Sequence, residues 1–339
     1  MTHAAVYFVA SPLHYLAARR VALDHEPGAR QVLVCYRPAL AGMIRREDWD
    51  AVVLMPWPRF DPLPGLFGRL RRTLANLRDV AEAVGRVDSL HLHSPVYDTE
   101  AINYFLHALP QLTRARQWCA RILPDGLLNL QRHPLSAAKR FAQRLRGLRR
   151  LASPLLRYTP FSGDRIGSDA AFVDRIYVLD GFPHAYDLAK AVRLAPLVRR
   201  ESTATAPLRA LVIGQPLVAV GLLSEAERAI LAERVDEFLA GLGMAEVHYK
   251  AHPRESGNGG LSRPRYRRLS LDEPLEAYLA REPYPLIVGC CSTALYTARQ
   301  IGGAGTRIAA FGAEQVHFKT AAARDNALSL MRQLGIELH

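Results

Sequence analysis

The sequence predicts an α/β protein built from two Rossmann-like domains. Strand-like and helix-like patterns alternate along the chain, which implies parallel sheets with crossover helices. The alternation breaks at a polar stretch ending in proline, RRESTATAP (199–207), and then restarts. The length of 339 residues suits two domains of ordinary size.

The elements follow in order. AAVYFVA reads as a first strand and not as a signal peptide, because no basic segment precedes it and Ser11-Pro12 closes it. PLHYLAARRVALDH is the helix after it. RQVLVCY and DAVVLMPW are the next strands, the latter closed by Pro56 and Pro58. A long helix is expected over PGLFGRLRRTLANLRDVAEAVG, where Leu66, Leu70, Leu74 and Leu77 recur near helical spacing. DSLHLHSP is a strand, AINYFLHAL a helix, and RQWCARILPDG a strand running into a turn. DRIYVLDGFP is the last strand and turn of a domain spanning 1–198. With 199–207 as linker, the second domain is 208–339. It reads strand LRALVIGQP, helix SEAERAILAERVDEFLAGLG, strand AEVHYKAHP, helix LDEPLEAYLAR, strand PLIVGCCS, helix TALYTARQIG and strand TRIAAFG. Ser224 and Glu227 form a capping box at its first helix.

Apolar residues make up 49% of the chain and charged residues 22%, so it buries real cores. The four cysteines form no Cys-x-x-Cys pair, which points to a reducing cytoplasm and away from zinc clusters or a disulfide framework. No run of apolar residues is long enough to span a bilayer. The net charge of +12 favours an anionic partner. Between Leu127 and Gly163 there is no acidic residue, while Arg and Lys recur among Phe141, Leu145, Leu148 and Leu155 at helical spacing. A basic amphipathic helical insertion at about 131–157 is expected. It serves either as an ordinary surface helix with its apolar face on the core, or as a docking surface for an anionic membrane. Few aromatics interleave with the charges, so no nucleic-acid partner is expected.

Ligands of open α/β sheets sit beyond the carboxyl ends of the strands. Three such ends carry chemistry. RILPDGLLN places Asp125 on a turn, suited to a general base or to a plain Asx-turn. EVHYKAHPRE places His252 and Pro253 just past a strand, with Lys250 adding positive charge nearby or lying on a solvated face. IVGCCSTALYTA places Ser292 and Thr293 at a helix start, as phosphate donors or simple N-caps.

In order and spacing, Asp125-Gly126, His252-Pro253 and Ser292-Thr293 resemble the short motifs of the bacterial lipooligosaccharide sialyltransferase and polysialyltransferase families. The opening YFVASPLHYLAA resembles their first strand and turn. The resemblance implies a GT-B-like fold, two Rossmann-like domains with parallel sheets facing a central cleft. It implies an inverting glycosyltransferase that needs no metal or other cofactor. The donor would be CMP-sialic acid or a related CMP-activated nonulosonate or Kdo. The acceptor would be a cell-surface glycan or glycolipid, as in capsule or lipopolysaccharide assembly, at the inner face of the cytoplasmic membrane. It casts Asp125 as base and His252 as the group that meets the departing phosphate. Ser292 and Thr293 become the phosphate-binding pair, and Glu276 in DEPLEAYL the carboxylate on the ribose hydroxyls. Pro124 stands where these families often carry a second acid, which leaves the base to Asp125 alone.

Other matches rank lower. Asp180-Gly181 also ends a strand and rivals Asp125. His133-Pro134 reads as a helix start, PHAY (183–186) as a possible lining of the site, and Asp48-Trp49-Asp50 as a decoy because it precedes its strand. A GT-B transferase or epimerase using a UDP-sugar, and a non-catalytic binder of anionic glycan or nucleic acid, remain the alternatives.

Overall fold

The computed structural model describes residues 2–125, 132–180, 182–195, 197, 208–252, 255, 260–302, 305–318 and 320–339, apart from the side chains of Thr293 and Ala322. The chain divides into two compact units. Unit 1 is Met1–Asp180 with His184–Ala195, and unit 2 is Gly181–Pro183 with Pro196–His339. The expected linker, 199–207, lies outside the described residues.

Unit 1 runs β1 (His3–Val9), α1 (Pro12–His25), β2 (Arg30–Cys35), β3 (Ala51–Leu54), α2 (Gly68–Val84), β4 (Ser89–Ser94), α3 (Glu100–Thr113), β5 (Gln117–Ile122), α4 (Ala137–Gly147), β6 (Val173–Leu179) and β7 (Ala191–Leu194). Its sheet has the order β3-β2-β1-β4-β5-β6-β7, every neighbouring pair parallel. Strand β1 is central, and Ala4 to Val9 are fully buried, which is why its sequence is an unbroken apolar run. Ser11 ends it and caps α1 by accepting from His14 N–H at 3.2 Å, with Pro12 in the first turn where no N–H is needed.

Unit 2 runs β8 (Arg209–Ile213), α5 (Glu225–Gly241), β9 (Glu246–Lys250), β10 (Arg267–Arg268), α6 (Leu275–Arg281), β11 (Leu286–Gly289), α7 (Thr293–Gly302), β12 (Arg307–Ala310), α8 (Ala321–Gln333) and β13 (Glu337–Leu338). Its sheet order is β10-β9-β8-β11-β12-β13, again all parallel. Counted from its own first strand this is 3-2-1-4-5-6, the doubly wound dinucleotide-fold order. The capping box of Ser224 and Glu227 is formed.

Two expectations change. The long helix of unit 1 starts at Gly68, because Phe67 takes a left-handed φ of 59°; Leu66 lies outside it and is exposed. The basic helix starts at Ala137 under a Ser136 cap, not at His133-Pro134, and continues beyond Gly147 only as short 3₁₀ turns. The short strands β7, β10 and β13 carry no strand signal of their own.

The face of the unit 1 sheet beneath α1 is polar. Glu26, 4% exposed, accepts from Arg121, His91 and His93, and Arg121 also reaches Asp174 at 3.1 Å. Tyr7 stacks on His93 at 4.5 Å between ring centres. Burial alone would raise the Glu26 carboxyl. The hydrogen bonds from His91 and His93 and the charge of Arg121 outweigh it and hold the group well below the usual carboxylate range. Arg121 is the only guanidinium that reaches Glu26 among the described residues, so Arg121→Met strands a buried carboxylate. That variant should lose about 3–5 kcal/mol of stability, read by denaturant unfolding. A loss under about 1 kcal/mol would mean that the histidines alone satisfy Glu26.

Candidate functional site

In unit 1 the carboxyl ends of the strands bring together residues far apart in sequence. Asp125, just past β5, lies against His14 at the start of α1. His14 Nε2 and Asp125 Oδ1 are 2.9 Å apart. The His14 side chain is buried and that of Asp125 partly exposed. His14 Nδ1 accepts from Ala10 N–H at 3.3 Å, so Nε2 carries the proton and donates it to Asp125. With both ring nitrogens engaged, His14 has no lone pair left for proton abstraction. The pair therefore presents a carboxylate oriented by an imidazole. Tyr36 and Tyr186 also feel the Asp125 charge. Their hydroxyls are pushed well above the ordinary tyrosine range, by burial first and by nearby carboxylates second. Tyr186 belongs to the PHAY segment and stacks on His184 at 6.0 Å. The rival Asp180 is exposed and, among the described residues, pairs with Arg193 at 3.7 Å. Asp48 pairs with Arg19, and Asp50 accepts from Gln31 N–H, so both acids of the Asp-x-Asp decoy have structural partners.

A second feature of unit 1 is a cavity of about 370 Å³ at the start of α3. Arg59, Arg69, Lys139, Arg146, Arg149 and Arg165 line it, against the two acids Asp98 and Glu100. Lys139 and Arg165 reach Asp98 at 2.7 and 3.2 Å, and Arg149 reaches Glu100 at 2.6 Å. Cations outnumber acids there, so the cavity suits a polyanion.

In unit 2 the order of strands reverses between β8 and β11. Gln215, just past β8, and Cys291, just past β11, clasp each other across that point. Cys291 N–H donates to Gln215 Oε1, and Gln215 Nε2 donates to the sulfur, both at 3.2 Å. Hydrogen bonds from Cys290 and Gln215 pull the Cys291 thiol below its ordinary range, against the effect of burial. Ser292 follows and caps α7, its Oγ accepting from Ala294 N–H at 3.2 Å. Thr293 opens the helix, but its side chain lies outside the described residues. Lys250 ends β9 and His252 follows it, both partly buried, while Pro253 lies outside the described residues. Glu255 ties this loop down by accepting from His252 N–H at 3.3 Å and from the Tyr249 hydroxyl at 2.5 Å. Gly214 makes that possible, since a Cβ there would fall 2.4 Å from Glu255 Oε2. Glu276 sits in the first turn of α6.

The structure thus places Lys250, His252 and Ser292 on one edge of the unit 2 sheet and Asp125 on the corresponding edge of unit 1. His14, Gln215 and Glu255 were not singled out in the sequence. Only His14 carried a signal, as part of the opening turn; the other two become recognisable only through their partners.

Comparison with known proteins finds one partial family match. Residues 179–308 match the model of the family described as Alpha-2,8-polysialyltransferase (POLYST). The matched segment covers less than half of the chain. It contains Asp180, Lys250, His252, Glu276, Ser292 and Thr293 and leaves Asp125 outside. No curated protein matches the sequence. Among solved structures, the calicheamicin glycosyltransferase CalG4 is 18% identical, with a TM-score of 0.47 over 100% of this chain and 86% of that one. The kitacinnamycin glycosyltransferase is 12% identical, with a TM-score of 0.46 over 99% and 96%. MurG of Acinetobacter baumannii is 12% identical, with a TM-score of 0.45 over 99% and 85%. Likenesses of that size identify no substrate. The polysialyltransferase match, falling on a chain of two parallel-sheet α/β units, makes this protein a glycosyltransferase.

Proposed function

We propose that the protein is an inverting, metal-independent sialyltransferase-type enzyme that uses a CMP-activated sialic acid or related nonulosonate. The polysialyltransferase match over 179–308 carries this reading, because it takes in the phosphate-side residues of unit 2. In the proposed reaction Asp125 accepts the proton of the acceptor hydroxyl. The freed oxygen attacks the anomeric carbon, and the bond from that carbon to the CMP phosphate oxygen breaks. One displacement inverts the centre. His252 meets the charge on the departing phosphate with a proton or hydrogen bond. Ser292, Thr293 and the first N–H groups of α7 hold the phosphate, with Lys250 and Pro253 beside His252. Glu276 holds the ribose hydroxyls. The acceptor is a glycan or glycolipid. The cation-rich cavity at α3 supports one that itself carries negative charge.

A thermal-shift series with CMP, CDP, UMP and UDP tests the donor. CMP should stabilise most; at about 100 times Kd it contributes ~2.7 kcal/mol. A larger shift with UDP would favour a UDP-sugar enzyme, and no shift with any nucleotide a non-catalytic binder.

Asp125→Asn should lower kcat about 100- to 10,000-fold while leaving the CMP shift unchanged, since a base acts on the acceptor. His252→Ala should likewise lower kcat more than it raises KM. Asp180→Asn should change neither. If Asp180→Asn abolishes turnover and Asp125→Asn does not, the base is Asp180.

We further propose that the enzyme works peripherally at the inner face of the cytoplasmic membrane, through the basic segment at 131–157. Among the described residues no helix is long and apolar enough to cross a membrane. Helix α4 is inverted relative to an ordinary surface helix. Its only buried residue is Gln143, whose Oε1 accepts from Phe161 N–H, and Lys139 and Arg146 on the same face bind Asp98. Phe141, Leu145 and Leu148 are instead 60%, 51% and 57% exposed, and Leu151 beyond them 84%. Leu155 alone of the expected stripe packs on the core. Arg140, Arg144 and Arg150 are exposed around this apolar patch, while Arg146 and Arg149 are tied to Asp98 and Glu100. Anionic lipid fits both the patch and its rim, at about 1 kcal/mol per basic residue. Anionic vesicles should pellet the protein and neutral ones should not. Salt, or the triple change of Arg140, Arg144 and Arg150 to Glu, should release it. Equal pelleting with both vesicle types, or none with either, would overturn the proposal.

A further inference from the structure

The polar face beneath α1 contains a group of side chains with the composition of a metal site. His3 opens β1, Glu26 follows α1, and His91 lies in β4. His3 Nε2 is 3.2 Å from Glu26 Oε2, and His91 Nδ1 is 3.0 Å from the same oxygen. One donor atom from each of the three residues falls within 4.8 Å of the other two. A tetrahedral Zn²⁺ with bonds of about 2.0–2.1 Å spaces its ligand atoms by about 3.3–3.4 Å, so only small side-chain movements separate this group from coordination.

Glu26 uses its two oxygens differently. Oε1 accepts from Arg121, from the fully buried His93 at 3.1 Å and from the longer branch of a bifurcated His91 Nδ1–H bond, also at 3.1 Å. Oε2 meets the two imidazoles that reach solvent; the side chains of His3 and His91 are 27% and 19% exposed, against 3% for Glu26. Arg121 and His93 therefore hold the carboxylate ionised and fix its orientation from behind, as outer-shell partners of metal ligands do.

We propose that His3 Nε2, His91 Nδ1 and Glu26 Oε2 bind one Zn²⁺, with water completing a tetrahedron from the solvent side. Two imidazoles and a carboxylate suit zinc better than magnesium or calcium, which prefer all-oxygen sites. Each imidazole gives the ion the nitrogen that now faces Glu26 and keeps its proton on the other. The site ties the amino ends of β1 and β4 to the end of α1. Asp125 lies beyond the carboxyl end of β5, at the opposite edge of the same parallel sheet. The ion is structural, and its binding is independent of the transfer reaction proposed above.

Full-length protein stripped with a chelator and titrated with Zn²⁺ against a competing chromophoric chelator tests this. The expected result is one saturable equivalent and a raised Tm. His3→Gln and His91→Asn keep hydrogen-bond donors to Glu26, so both should fold, as circular dichroism checks. Each should raise the Zn²⁺ Kd at least about tenfold, and the double variant should abolish the Tm rise. His317→Gln, at an exposed histidine 3.6 Å from Glu227, should leave binding unchanged. Co²⁺ in place of zinc should give visible absorption without thiolate charge transfer, separating this site from Cys291. Full binding by the folded double variant, a thiolate signature, or no saturable binding by the wild type would each overturn the proposal.

Discussion

Parallel strand pairing is the constraint from which the rest of this molecule follows. Each strand must return through a crossover before it can pair again in the same direction, so helices cover both faces and the strands read as apolar runs. The same pairing collects every carboxyl end on one edge of its sheet. In unit 1 this sets His14 beside Asp125, although β4 lies between β1 and β5. In unit 2 the reversal between β8 and β11 sets Gln215 against Cys291, next to the start of α7. Neither pairing needs a sequence motif, because strand order alone decides which loops meet.

The constraint also explains why the Glu26 network is conspicuous. A sheet face under a helix is normally apolar, and a buried carboxylate there is costly unless paired. Here Arg121, His91 and His93 stand on neighbouring strands in matching register, His93 beside Arg121, so one carboxylate at the end of α1 reaches all three. The alternating pattern of SLHLHS places both histidines on this face and Leu90 and Leu92 in the core. The face is satisfied polar structure, and its solvent edge supplies the His3, Glu26 and His91 group.

Helix α4 reverses the usual relation between amphipathicity and burial. Its spacing of Phe141, Leu145 and Leu148 is the pattern that normally marks a core-facing stripe. The stripe faces outward because Lys139, Gln143 and Arg146 find better partners on unit 1, in Asp98 and the backbone at Phe161. Periodicity reports that a face is apolar, and only the partners of the opposite face report which side turns in.

The sequence by itself determined the fold class, the two-domain organisation and the main strands and helices, because apolar period and Pro or Gly punctuation are local signals. It also located Asp125, His252 and Ser292 at strand ends, since the end of a strand is itself a local event. It misplaced the start of α2, where a left-handed Phe67 overrides the helical spacing of leucines, it did not read the helix α8, and it missed β7, β10 and β13, whose pairing is made by the sheet edge and not by their own composition. What only the tertiary structure decided were the partners. His14 became the residue that orients Asp125, Glu255 the residue that ties down the His252 loop through Gly214 and Tyr249, and His3, Glu26 and His91 a single cluster. The physical reason is the same in each case. These contacts join segments brought together by strand order, and the energy of a hydrogen bond or ion pair depends on a partner that lies far along the chain.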